Sequence, residues 1–248
     1  MIKNFIHAVQ FLTIITVSKR EKITEGDLAR SMVYFPFVGF LLGVTLVYAD
    51  KALSYALPHT VGNALLVLLS ILLTRALHID GLADTLDGLM GGSDKESRLR
   101  IMKDSRLGTA GALGIVFVLL VKYLCLNNLF NDDKTELLLI APVLSRWSQA
   151  IMVFRANYVR EQGMGRAFVG HLRATGLAVS SAVALGITGY LLWVPALYLV
   201  AGAVALTLIG RWYLVRRLGG VTGDAIGAMS ELNEVLTYVL FVILSSGW

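Results

Sequence analysis

Residues 61–88 read VGNALLVLLSILLTRALHIDGLADTLDG, an apolar run that passes directly into a segment rich in aspartate and glycine. The part from 61 to 77 contains only Arg75 as a charge, and as a helix it is long enough to enter the hydrocarbon core of a bilayer. Residues 78–106 then hold six of the 17 acidic residues of the chain. An acidic segment is therefore predicted where a membrane span ends.

The rest of the chain has the composition of a membrane protein. Its 248 residues are 56% hydrophobic, in runs long enough to cross a bilayer, which predicts one all-α polytopic domain over residues 1–248. The single cysteine excludes a disulfide framework and a cysteine-rich metal site. The net charge of +5 does not indicate nucleic-acid binding, because the basic residues lie in loops between apolar runs.

Seven spans are predicted, preceded by an amphipathic helix at residues 5–17 that is too short to span and lies on the membrane surface. The spans are predicted at residues 32–49, 61–77, 109–130, 137–154, 176–193, 196–215 and 232–244, the last extending toward Trp248. Thr24 to Asp27 form a helix-capping signal, and Gly39 and Gly43 predict close helix packing in the first span.

Lysine and arginine alternate between the loops. Segments 1–31, 80–108, 155–174 and 211–232 hold five, five, four and three of them, whereas segments 54–60, 131–136 and 194–195 hold none, one and none. By the positive-inside rule, the N-terminus and every acidic motif are predicted on the cytoplasmic side, and the C-terminus outside.

The acidic segment favours a hard metal ion. As a helix it places Asp80, Asp84 and Asp87 within a ~60° arc of one face. At an effective dielectric near 20, their mutual repulsion at ~6 Å is about 3 kcal/mol per pair. Only oxygen ligands are offered, which favours Mg²⁺, with Mn²⁺ as the alternative, and four glycines leave room for a phosphate. The competing interpretation is a solvated acidic helix start balanced by nearby lysines and arginines.

A second acidic group follows a glycine-rich loop at residues 219–223. Asp224 and Glu231 are seven residues apart and Glu231 and Glu234 are three apart, so the three are predicted to form carboxylates facing the first group. The alternative is a glycine-rich turn that Asp224 caps. Two cations inside predicted spans have open roles: Lys122 either snorkels or faces the bundle, and Arg146 binds phosphate or forms a structural ion pair.

The loop at residues 157–173 combines glycine with arginine, which suits an anionic ligand, although the positive-inside rule also accounts for its arginines. The residues concerned are Arg160, Gly163, Gly165, Arg166 and Arg173.

Three motifs carry a resemblance to a known family. HxDGLADxxDG stands at residues 78–88, (I/M)MxDSRxGxxG at 101–111 and GGxTGDxxGAxxExxE at 219–234. In this order they resemble the cobalamin synthases, the adenosylcobinamide-GDP ribazoletransferases that close the nucleotide loop of vitamin B12. The looser DxxDG pattern is also similar to CDP-alcohol phosphotransferases, but their Ala-Arg pair is replaced here by Met90-Gly91.

The resemblance implies an enzyme of the bacterial inner membrane. In its reaction the ribose 5′-oxygen of α-ribazole, or α-ribazole 5′-phosphate, attacks the β-phosphate of adenosylcobinamide-GDP and GMP leaves. The lipid bilayer is the other expected partner, together with a second copy of the chain in a homo-oligomer, and nucleic acid is not expected. A divalent-cation transporter is the rival class, although transporters place such acids at the membrane midplane in repeated halves, and no repeat is visible here.

The predicted site residues follow from the motifs. Asp84 and Asp87 are expected to bind Mg²⁺, with Asp80 and Asp104 completing the metal site. Asp224 is expected to be the base, and Asp104 and Arg106 complete the catalytic set. Further substrate contacts are assigned to the remaining motif residues, namely His78, Ser105, Gly223, Glu231 and Glu234.

Overall fold

The computed structural model describes residues 2–17, 24–160 and 163–246, and its regular structure is helical apart from one isolated β-bridge. The α-helices are α1 (Ile2–Leu12), α2 (Glu25–Ser31), α3 (Phe35–Ser54), α4 (His59–Leu73), α5 (Leu77–Gly91), α6 (Lys95–Ile101), α7 (Thr109–Asn127), α8 (Asn131–Val153), α9 (Ala174–Leu192), α10 (Val194–Leu218) and α11 (Gly223–Ser245). The predicted all-α polytopic bundle is confirmed.

Six helical stretches within these described ranges are long and apolar enough to cross a membrane. They are the continuous stretch Gly26–Ser54 and helices α7, α8, α9, α10 and α11. Six of the seven predicted spans overlap these stretches, although the span predicted at residues 109–130 extends past the end of α7 at Asn127. The extension of the last span to Trp248 lies outside the described residues, as do residues 18–23 of the N-terminal connector.

The span predicted at residues 61–77 is wrong as a single straight helix. Helix α4 ends at Leu73, Arg75 and Ala76 have φ of 53° and 56°, and α5 leaves the turn at 86° to α4. This left-handed pair is costly for residues that carry a side chain. Tertiary packing offsets the cost, because the turn lays α5 along α7 and α11.

Helix α8 is the most enclosed of the spanning helices, and glycines let α3 pack closely against it. A Cβ atom at Gly43 would lie 2.6 Å from the carbonyl oxygen of Leu138, and Gly39 lies as closely against Pro142. The close packing predicted from these two glycines is confirmed. The capping signal is also confirmed, since Thr24 and Asp27 form a capping box at the start of α2.

Two loops that meet at one end of the bundle are joined by backbone hydrogen bonds. The amide of Val159 donates to the carbonyl of Val221 at 3.1 Å, and the amide of Val221 donates to the carbonyl of Asn157 at 2.9 Å. Thr222 then caps α11 by accepting a hydrogen bond from the amide of Ala225. These contacts hold residues 157–159 beside the first turn of α11.

Candidate active site

Helix α5 carries the motif at residues 78–88, and α11 carries most of the motif at residues 219–234. The two helices approach each other closely at two glycines, one in each helix. A Cβ atom at Gly81 would lie 2.8 Å from the carbonyl oxygen of Asp224, and one at Gly227 would lie 3.3 Å from the Cα of His78. Because neither glycine has a side chain, the first turn of α11 lies directly against α5. Asp224 thereby joins the aspartates of α5, as the sequence predicts.

A cavity of about 370 Å³ opens beside this contact. Its polar side chains come from α5, α8, α11 and the loop after α8: His78, Asp80, Gln149, Tyr158, Arg160 and Asp224. Its large apolar side chains come from α1, α3, α5, α11, the turn before α3 and the loop before α9: Phe11, Met32, Phe35, Leu77, Phe168 and Ile226. Burial raises the pKa of Tyr158, which therefore stays a neutral hydrogen-bonding phenol.

The carboxylates at the cavity outnumber the cation that faces them. A guanidinium nitrogen of Arg160 lies 2.7 Å from a carboxylate oxygen of Asp224. Asp84 is half-buried, and its charge is opposed by those of Asp224 and Asp80 and favoured by that of Arg160. A cationic or metal-bound ligand would relieve this excess of negative charge.

Asp87, the last of the three aspartates on α5, does not line this cavity. Asp87 accepts hydrogen bonds from the amides of Gly108 and Gly111 at 2.7 and 2.8 Å, so it caps the start of α7. Beside it runs an open groove of about 550 Å³ that is also lined by Asp104 and Arg106. Asp80 therefore lines the cavity and Asp87 lines the groove, and Asp84 lies between them on α5.

Asp104 and Arg106 form an exposed ion pair at 2.6 Å. Hydrogen bonds from the Arg106 side chain and backbone lower the pKa of Asp104 to about 2, so this carboxylate is ionised at neutral pH. Ser105, between them, is exposed. The pair places a guanidinium at the edge of the groove, where the sequence predicts phosphate binding.

The four predicted metal ligands do not form a ready-made metal site. In the described part of the chain, no three His, Cys, Asp or Glu side chains are grouped so that they could hold an ion alone. The donors still suit Mg²⁺, since they are oxygens and carry unbalanced negative charge. Any such ion would need further oxygen ligands from a substrate phosphate.

Glu231 and Glu234 do not face the first acidic group, and this expectation is wrong. Both are buried, and the ammonium group of Lys122 lies 2.7 Å from Glu231 and 3.0 Å from Glu234. Arg146 contacts the other oxygen of Glu234 at 2.6 Å. The sequence pattern misled because helical spacing groups these acids with Asp224 but does not reveal the cations on α7 and α8. Lys122 thus faces the bundle, and Arg146 forms the structural pair.

A chain of hydrogen bonds links this buried charge network to the cavity. Gln149 donates to Nε2 of His78 and to the hydroxyl of Ser230, both at 2.8 Å. The hydroxyls of Ser230 and Ser145 lie 2.8 Å apart, and Arg146 donates to Ser145 at 2.8 Å. His78 is therefore held in one orientation at the cavity wall.

Sequence reasoning missed several residues of the cavity. It weighed Arg160 only as one member of a basic loop, and it did not single out Gln149, Tyr158 or the phenylalanines. Phe168 offered a signal, because it is the only phenylalanine among residues 157–173. Gln149 offered none beyond being an amide in an apolar span.

Comparison with known proteins gives one consistent result. The family described as cobalamin-5-phosphate synthase matches residues 4–242. A protein of Geotalea daltonii named adenosylcobinamide-GDP ribazoletransferase is 40% identical over 245 residues, or 98% of each chain. Proteins of the same name are 35% identical in Alkaliphilus metalliredigens, over 98% of this chain and 96% of the relative, and 40% identical in Pseudomonas fluorescens, over 94% and 96%. No solved structure is detectably similar to this chain.

Proposed function

This chain belongs to the cobalamin-5-phosphate synthase family, and we propose that it is an adenosylcobinamide-GDP ribazoletransferase. It joins adenosylcobinamide-GDP to α-ribazole or α-ribazole 5′-phosphate and releases GMP, which assembles the nucleotide loop of cobalamin. The observation that supports this most strongly is the meeting of Asp80 and Asp224 at a cavity, with Asp84 close to both, since these residues come from two of the three family motifs.

The reaction is a phosphoryl transfer with a hydroxyl as its nucleophile. A free ribose hydroxyl of the acceptor forms a bond to the β-phosphorus of the donor, and the bond from that phosphorus to the bridging oxygen of GMP breaks. The 5′-oxygen expected from the resemblance is free in α-ribazole but already esterified in α-ribazole 5′-phosphate, so that acceptor must use another ribose hydroxyl. The proton of the attacking hydroxyl needs an acceptor, and we assign that role to the Asp224 carboxylate. Arg160, at 2.7 Å, orients the Asp224 carboxylate.

The donor brings a diphosphate, whose charge must be neutralised as GMP leaves. We assign Mg²⁺ to Asp84 and Asp87, with Asp80 beside them, and the ion would stabilise negative charge on the phosphate oxygens. Arg106 contributes a guanidinium from the groove, and Asp104 holds that guanidinium in place. Each carboxylate oxygen of Asp87 accepts one hydrogen bond from a backbone amide, and each has a second lone pair that could bind the ion.

We place the site at the cytoplasmic face of a bacterial inner membrane. The alternation of basic and neutral loops supports this orientation. The cavity and the groove lie at the end of the bundle where those basic loops meet, and a water-borne nucleotide substrate reaches that end directly.

The test is a reconstituted reaction. Purified protein in lipid nanodiscs is supplied with adenosylcobinamide-GDP, Mg²⁺ and either α-ribazole or its 5′-phosphate, and GMP and corrinoid products are followed by chromatography and mass spectrometry. We expect one joined corrinoid for each GMP released, and the product mass identifies the acceptor used. GMP release without joining would indicate a hydrolase, and no release in either case would refute the proposal.

A further inference from the structure

The walls of the cavity differ in chemistry from one side to the other. The rings of Phe11 and Phe168 have centroids 4.7 Å apart, and Phe35 lies 5.8 Å from Phe168 and 6.0 Å from Phe11. These three side chains form a phenylalanine wall, and Phe35 and Phe168 are almost fully buried. The carboxylates of Asp80 and Asp224 line the same cavity. Such a pocket suits a ligand with a flat apolar end and a hydroxyl-bearing end.

The size of the cavity separates the two substrates of the proposed reaction. At about 370 Å³, it lies near the lower limit of the ~300–1,000 Å³ of pockets that enclose drug-sized molecules. A single nucleoside fits that space. A corrinoid that carries GDP has several times as many atoms and does not. The groove beside Asp87 and Arg106 is open along the surface, so it does not limit size in this way.

We propose that the cavity is the acceptor site, with the base of α-ribazole against the phenylalanine wall and its ribose toward Asp80 and Asp224. This assignment rests on the proposed function. The donor approaches from the groove, and the transferred phosphate meets the ribose hydroxyl near Asp84, which lies between Asp80 and Asp87 on α5.

The same wall determines which base is accepted. The base of α-ribazole is a methylated benzimidazole, which has no exocyclic amine or carbonyl group. Phenylalanine rings offer such a base stacking contacts and no hydrogen-bond partners. A purine base such as adenine would lose hydration of its amine against this wall without compensation, which disfavours it.

The test is to measure the KM for α-ribazole and the KM for adenosylcobinamide-GDP separately in variants of the phenylalanine wall. Because stacking of a base on an aromatic ring stabilises its binding, Phe168→Leu is expected to raise the KM for α-ribazole by roughly 10-fold while the KM for adenosylcobinamide-GDP stays the same. Its preference for α-ribazole over adenosine should fall in parallel. Phe11→Leu gives a second, less buried variant of the wall. Phe117→Leu, on the exposed surface of α7, is the matched control that should change neither KM.

A binding measurement on the unaltered protein does not depend on any variant folding. In equilibrium dialysis, radiolabelled α-ribazole should bind the reconstituted protein without a donor, and saturating GMP should not displace it. Displacement by GMP, no binding without donor, or a wall variant that raises only the donor KM would overturn the assignment. If GMP release by the unaltered protein is normal, such a result refutes the acceptor site alone, whereas absent GMP release refutes the proposed function.

Discussion

The protein contains two groups of carboxylates that differ in how their charge is balanced. At the cavity, the carboxylates of Asp80 and Asp224, with Asp84 next to them on α5, share the guanidinium of Arg160, which contacts Asp224. In the bundle interior, Glu231 and Glu234 are matched by two cations at 2.6–3.0 Å. Buried carboxylates that are paired with cations link the helices that carry them. Carboxylates beside a cavity that lack enough cations are candidates for binding a ligand. Charge balance therefore distinguishes the acids of the fold from the acids of the proposed site.

The largest expected effect is on turnover in Asp224→Asn. The amide cannot accept the proton of the attacking hydroxyl, so kcat should fall by about 100- to 10,000-fold, the range typical of a lost general base. Binding of adenosylcobinamide-GDP should be nearly unchanged, because the donor is assigned to the groove. Single-turnover rates and donor affinity measured on the same preparation check this, and loss of donor affinity in place of turnover would exchange the roles of Asp224 and Asp84.

The next effect is on stability in Lys122→Met. Removing one partner of a buried pair leaves an uncompensated charge and costs about 3–5 kcal/mol, so we expect a large fall in Tm and in the yield of monodisperse protein. Adding Glu231→Gln removes that charge and leaves Arg146 paired with Glu234, so the double variant should recover most of the loss. Thermal unfolding in detergent measures both. A double variant no better than the single one would show that the pair is not the source of the effect.

A smaller effect is expected on the metal requirement in Asp84→Asn. Loss of one carboxylate should raise the Mg²⁺ concentration for half-maximal activity by roughly 10–100-fold, comparable to changes at other metal sites, with little loss of stability. Glu96→Gln, an exposed acid on α6, is the matched control. The check is to measure activity as a function of Mg²⁺ concentration for both variants and for the unaltered protein. An unchanged Mg²⁺ requirement in Asp84→Asn would remove this residue from the metal site.

The smallest effect is expected from Asp104→Asn. This carboxylate is exposed and paired with Arg106, and such surface pairs contribute about 0–1 kcal/mol, so the KM for the donor should change by less than about 5-fold. The same assay on Arg106→Gln should show the larger change of the two. A greater loss in Asp104→Asn would give Asp104 a direct part in metal binding or catalysis, as the motif alone predicts.

Much of the fold could be predicted from the sequence, because spans and helix faces are properties of single helices. The apolar runs located six spans, and the spacing of Asp80, Asp84 and Asp87 indicated their shared face. The bend of 86° after Leu73 could not be predicted in this way. It depends on how α5 packs against α7 and α11, and only the finished bundle contains that information.

The contacts of the candidate site were also hard to predict, because they join residues that are far apart in the sequence. Lys122 and Glu231 are 109 residues apart, and Arg160 meets Asp224 only because two loops pair through Val159 and Val221. Helical spacing reveals which residues share a face but not which helix they meet. The sequence therefore grouped Glu231 and Glu234 with Asp224, whereas the structure pairs them with cations in the bundle interior. The phenylalanine wall was missed for the same reason, since α1, α3 and a loop each supply one ring.

The most direct test of the account compares turnover per folded molecule in two variants. The folded fraction of Asp224→Asn and of the double variant Lys122→Met, Glu231→Gln is measured by size-exclusion chromatography, and each is then assayed for GMP release in nanodiscs. We expect Asp224→Asn to be folded and at least about 100-fold slower, and the folded fraction of the double variant to turn over at nearly the normal rate. A folded double variant without activity, or an active Asp224→Asn, would contradict the division between the acids of the site and the acids of the fold.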